Sequence, residues 1–69
     1  MENEIVVKSN VGDVVVAKGE YGSSEDVRIN IGEEWTVLDK FGLFVKIQNG
    51  DRSFWLGDIN FVEVFEGNE

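Results

Sequence analysis

Leu43-Phe44-Val45-Lys46-Ile47-Gln48-Asn49-Gly50-Asp51-Arg52-Ser53-Phe54-Trp55-Leu56 is the stretch that decides the fold. Two runs rich in β-branched and aromatic residues flank Asn49-Gly50, a dipeptide that tolerates the positive φ of a type I′ turn, so the runs pair antiparallel as a hairpin. Val45 and Ile47 share one face of the first run, which sends Phe44 to the other. Upstream, Gly32 breaks the chain before Glu33-Glu34-Trp35-Thr36-Val37-Leu38, where Trp35 and Val37 point the same way and read as core, as does Phe54. Asp39-Lys40-Phe41-Gly42 then turns the chain into the hairpin.

Further out, Val27-Arg28-Ile29-Asn30-Ile31 alternates cleanly and predicts three apolar side chains on one face. Before it, Lys18 to Asp26 reads as a long polar loop carrying the acids Glu20, Glu25 and Asp26. Ile5-Val6-Val7 and Val14-Val15-Val16-Ala17 are short β-branched runs separated by the turn-like Asn10-Val11-Gly12-Asp13, and form a hairpin or a bent pair. After the hairpin, Gly57-Asp58-Ile59-Asn60 reads as a short turn and Phe61-Val62-Glu63-Val64-Phe65 as the closing strand. No segment shows a helical stripe, and there is no internal repeat. The expected fold is all-β: a five- to six-stranded antiparallel small barrel with one short 3-10 turn near 57–60, because closure hides edges that would otherwise aggregate. One domain spans residues 1–69, with residues 1–13 as an N-terminal strand extension and residues 66–69 as a frayed tail.

A chain of 69 residues lies near the lower size limit for independent folding. Its 42% hydrophobic content is enough for a globule. Without cysteine it has neither disulfides nor thiolate metal sites, a composition that suits the cytoplasm. Met1 to Glu4 lacks the basic start of a signal peptide, and no apolar run approaches the roughly 20 residues of a membrane helix, so the chain reads as soluble. Six basic residues against 14 acidic ones give a formal charge of -8. Such a field repels phosphate backbones and anionic lipid while favouring basic partners, which argues against direct nucleic-acid or membrane binding.

Catalysis has no obvious players, since there is no histidine, no cysteine and no serine paired with a base. Glu33 and Glu34 are neighbours on a predicted strand and face opposite ways, so they form no carboxylate dyad. Gly12-Asp13, Gly57-Asp58 and Asn49-Gly50-Asp51 lack the alternating oxygen ligands of a calcium loop, and no glycine-rich phosphate loop exists. The expectation is a protein that is not an enzyme and holds no cofactor or metal.

Taken together, Val16 to Val64 resembles an SH3 domain. Ala17-Lys18-Gly19-Glu20-Tyr21 sits where that family has Ala-Leu-Tyr-Asp-Tyr, and Glu25-Asp26-Val27-Arg28-Ile29 resembles the end of its acidic RT loop. Gly32 to Val37 resembles the strand that follows, Asn49-Gly50 falls at the distal hairpin, and Trp55 to Val62 is similar to the closing aromatic-Ile-Pro-Ser-Asn-Tyr-Val motif with one residue inserted. The resemblance implies a shallow aromatic groove for an extended peptide and acids that pair with its basic residue. Residue by residue it implies Tyr21, Phe44, Trp55 and Phe61 as the aromatics and Glu20, Glu25 and Asp26 as the acids. Gly19, Phe44 and Gly57 stand where the family has a tyrosine, the groove tryptophan and a proline, which is the pattern of an SH3-like barrel put to another use.

The function expected is a protein-interaction module that binds a basic segment of another protein through the aromatic patch and acidic loop. Two alternatives differ in class. One is an acidic decoy, of the kind phages encode, that inhibits a nucleic-acid-binding protein by imitating phosphates; the other is an assembly subunit in which Ile5 to Val7 adds a strand to a neighbour. The expected state is a monomer or a weak homo-oligomer.

Overall fold

The computed structural model describes residues 9–65; the strand expected at Ile5-Val6-Val7 and the tail expected at 66–69 lie outside the described residues. Six strands and a helix follow in order: β1 (Val14–Val16), β2 (Tyr21–Gly22), β3 (Arg28–Ile29), β4 (Glu34–Phe41), β5 (Phe44–Asn49), β6 (Arg52–Gly57) and α1 (Asp58–Phe65). Strands β1-β4-β5-β6 make one antiparallel sheet, and β2 and β3 make a separate two-stranded ribbon. The antiparallel, strand-rich character matches the sequence reading. A closed barrel does not form, because β1 and β6 remain the two edges of the larger sheet.

The 3-10 turn near 57–60 and the final strand are replaced by α1, for a reason visible in residues 61–65. As a strand, this segment would place Glu63 on the same face as Phe61 and Phe65. Wound as a helix, it buries Phe61, Val64 and Phe65 together and leaves Glu63 exposed. Asp58 opens the helix, where a carboxylate opposes the positive end of the helix dipole, and its backbone N–H donates to the Leu43 carbonyl at 2.8 Å.

The core lies between the inner face of the sheet, the ribbon and α1. Trp35, Val37, Val45 and Ile47 are buried as the alternation predicts, and Leu56, Val15, Ala17 and Ile29 join them. Phe54 is half-buried and meets Trp35 with ring centroids 5.4 Å apart, while Phe61 and Phe65 stack at 4.9 Å. Each large side chain so buried contributes roughly 1.5–3 kcal/mol. The face predicted for Val27, Ile29 and Ile31 holds only at Ile29; β3 ends there, and Ile31 stands 62% exposed in a turn.

The β5–β6 hairpin forms as expected, with its turn displaced by one residue. Asn49 pairs with Arg52, so Gly50 and Asp51 are the central residues. Only Gly50 has positive φ (63°), which is the type II′ pattern rather than type I′.

A local repeat that single letters conceal organises the other half. Residues 10–17 (Asn-Val-Gly-Asp-Val-Val-Val-Ala) and 30–37 (Asn-Ile-Gly-Glu-Glu-Trp-Thr-Val) adopt the same structure. Each begins with a turn closed by its acid: Asp13 N–H donates to Asn10 O (3.0 Å) and Asn10 N–H to Asp13 Oδ2 (2.9 Å), while Glu33 N–H donates to Asn30 O (3.1 Å) and Asn30 N–H to Glu33 Oε1 (2.9 Å). Gly12 and Gly32 supply the positive φ, 99° and 93°, of a type II turn. The two units then clasp each other reciprocally. Gly12 N–H donates to Val37 O and Val37 N–H to Asp13 O, as Gly32 N–H donates to Ala17 O and Ala17 N–H to Glu33 O. The Val15–Trp35 pair marks the local two-fold axis. The conserved feature is backbone bonding and the Asn-x-Gly-acid order, which explains why no repeat was expected from the sequence.

Candidate functional site

The residues expected to form one groove occupy two surfaces and the core. Phe44 and Trp55 alternate with the buried Val45 and Leu56, so both project from the outer face of the sheet, 53% and 45% exposed. Tyr21 belongs to the ribbon, whose Ile29 is fully buried, and its half-buried ring packs against the core from the inner side. Phe61, expected in the open patch, is 3% exposed and helps build the core; helical phase, not strand alternation, sets its direction.

The acids stay with Tyr21. Glu20 precedes it, and Glu25 and Asp26 lie exposed in the connection from β2 to β3. Glu20, Tyr21, Gly22, Ser23 and Arg28 line an open cleft of about 420 Å³. Ser23 and Arg28 were not singled out in the sequence, although a polar residue after Gly22 and a cation between two apolar residues are their only local marks. The ribbon that shapes the cleft is held by close backbone approach. A Cβ on Gly22 would stand 2.1 Å from Val27 O and 2.7 Å from Arg28 Cα, so only glycine fits where the two strands cross.

A second anchor reaches the ribbon from the hairpin. Arg52 Nη1 donates to Arg28 O at 2.8 Å, its guanidinium lies 5.0 Å from the Trp35 ring centroid, and Nη2 approaches Glu33 Oε2 at 3.3 Å. One side chain thus joins β6, β3, the Asn30–Glu33 turn and the core tryptophan. The Asn30 backbone N–H is the main cause that lowers the Glu33 carboxyl from its usual 4.5; partial burial opposes it, and the Asn30 amide and Arg52 charge add to the lowering. The Trp35 indole N–H also favours the ionised Glu33 but falls short of hydrogen-bond geometry.

A carboxyl with a lowered folded-state pKa adds stability above its unfolded value, and that stability is lost as pH falls through the folded value. Urea midpoints should therefore drop on acidification below 4.5, the usual Glu33 value. A Glu33→Gln protein should be about 1 kcal/mol less stable at pH 7 and lose less on acidification. Parallel acid profiles for both proteins would remove Glu33 from the anchor.

On the outer face, the β4–β5 register sets Phe41 directly opposite Phe44, and Phe41 is 75% exposed. The turn expected over Asp39-Lys40-Phe41-Gly42 is instead Gly42-Leu43, and Asp39, Lys40 and Phe41 belong to β4. Among the described residues, no three acids gather to hold a metal, and no helix is long and apolar enough to cross a membrane.

No protein-family model, curated protein or solved structure matches the chain. The functional reading therefore rests on the two surfaces themselves.

Proposed function

We propose that the chain is a non-enzymatic interaction module that takes a basic, extended segment of another protein at the Tyr21 cleft. The observation that carries this reading is the coincidence in residues 20–28 of an open cleft lined by Glu20 and Arg28, a half-buried aromatic ring at its wall, and two further exposed acids, Glu25 and Asp26, in the connection from β2 to β3. An arginine or lysine stem lies along the Tyr21 ring, and its charged head meets Glu20. Glu25 and Asp26 extend the negative field along the approach, which speeds encounter with a cationic chain. The likeness of this segment to the acidic loop of an SH3 domain supports the same assignment. In this reading Phe44 and Trp55, which project from the other face of the sheet, lie outside the site.

Fluorescence anisotropy with a labelled arginine-rich peptide tests the proposal. Glu20, Glu25 and Asp26 are exposed, so a Glu20→Gln, Glu25→Gln, Asp26→Asn protein keeps its fold. It should bind the peptide at least about tenfold more weakly, a difference of ~1.4 kcal/mol. Unchanged affinity would refute the cleft. A steep loss with salt that any scattered set of acids reproduces would instead favour imitation of a phosphate backbone.

A further inference from the structure

Among the described residues, the outer face of the four-stranded sheet gathers several exposed large apolar side chains. On β4 and β5, Phe41 opposes Phe44; on β5 and β6, Lys46 opposes Trp55; and Asp39 opposes Lys46 across the bulge that follows Val37. Val14 and Val16 of β1 continue this face at 60% and 53% exposure, and Leu38 links them to Phe41 at 36%. With an aromatic side chain worth roughly 150–250 Å², the open fractions of Phe41, Phe44 and Trp55 come to about 350 Å², and the three aliphatic residues bring the face to about 600 Å². That reaches the upper limit for a patch on a monomer and approaches the ~800 Å² that each partner commonly gives to a stable interface.

We propose that this face binds the same face of a second copy, packing two sheets into a sandwich. Two observations favour a second copy over other occupants. The apolar area approaches what each partner gives to a homodimer interface, as above. The charge fits itself: the chain carries -8, yet this face holds only Glu34, Asp39 and Lys46. A two-fold relation that sets Asp39 of each copy against Lys46 of the other leaves only Glu34 of each face without an opposite charge, a small remainder for a chain of this charge.

Aligned sheets packed about 10 Å apart interdigitate their large side chains, and Gly57, directly opposite Phe44, leaves room beside that ring for an incoming one. The Tyr21 clefts stay open on the two outer sides. A partner with two basic segments then gains from avidity, because the second contact becomes intramolecular. Dimerisation stands independently of what the cleft binds.

Sedimentation velocity of the full chain, from about 10 μM to about 1 mM, brackets weak homodimers. The expected result is a reversible monomer–dimer equilibrium. Trp55→Ala and Phe44→Ala, both at exposed positions, should raise the dimer dissociation constant at least tenfold without changing the far-UV spectrum. Lys46→Asp should weaken the dimer as well, and the exchanged pair Asp39→Lys with Lys46→Asp should restore it. A monomer at every concentration overturns the proposal, as does a dimer indifferent to these variants. Peptide anisotropy on Trp55→Ala keeps the two proposals separate, since loss of the dimer leaves the cleft intact.

Discussion

Replacing Trp35 by alanine is expected to cost about 3–5 kcal/mol, a large share of the domain's stability at 25 °C. Trp35 is fully buried at the centre of β4, opposite Val15 on the local two-fold, with Phe54 on one side and the Arg52 guanidinium on another. Truncation opens a cavity and removes the ring over which Arg52 reaches the ribbon. At roughly 0.05–0.15 kcal/mol per residue, a chain this short has only about 3–10 kcal/mol of stability to lose. Trp35→Phe should retain the fold with an intermediate loss, because it keeps a ring for Phe54 and Arg52. Urea titration followed by far-UV circular dichroism measures both variants. A Trp35→Ala protein within about 1 kcal/mol of the wild type would show that the core is centred elsewhere.

Gly22→Ala is expected to be the second most damaging change and the one that separates the cleft from the rest of the fold. The new Cβ collides with Val27 O and Arg28 Cα, which are backbone atoms and cannot swing aside as a side chain can. Its φ of 142° is also strained for any L side chain. Relief requires β3 to move away from β2, breaking the Tyr21–Ile29 and Gly22–Arg28 pairs and dragging Ile29 out of the core. A loss of about 2–4 kcal/mol follows from strain plus lost burial. Gly12→Ala is the control: its φ of 99° is equally unsuited to alanine, but nothing lies within 4 Å of the added Cβ. That variant should lose only about 1–2 kcal/mol. Hydrogen exchange at the Ile29 amide should accelerate more in Gly22→Ala than global stability alone explains. Equal effects from the two substitutions would contradict the close approach.

Sequence patterns revealed each element whose cause is local. The Asn49-Gly50 hairpin and the inward set Trp35, Val37, Val45 and Ile47 follow from turn chemistry and a period of two, and the structure contains them. What escaped depends on contacts between distant residues. Phe61-Val62-Glu63-Val64-Phe65 has strand-like composition, and only the burial available against β5 and β6 selects the helical phase that expels Glu63. Likewise, alternation tells which face of its own strand Tyr21 or Trp55 occupies, but not that the ribbon folds over the inner side of the sheet while Trp55 looks outward. The two-fold unit of residues 10–17 and 30–37 was hidden because its signal is a pattern of backbone bonds, with only Asn and Gly identical between the copies. A rule that weighs Asn-x-Gly-acid before a strand would have found both turns.

The cleft reading is tested most directly by backbone amide NMR during titration of the full chain with an arginine-rich peptide at moderate salt. The account predicts saturable shifts concentrated in residues 20–28, extending to Arg52 through its bond to Arg28, with the amides of Phe44 and Trp55 unmoved. Shifts confined to the outer sheet face, or spread evenly over exposed acids without saturation, would contradict it.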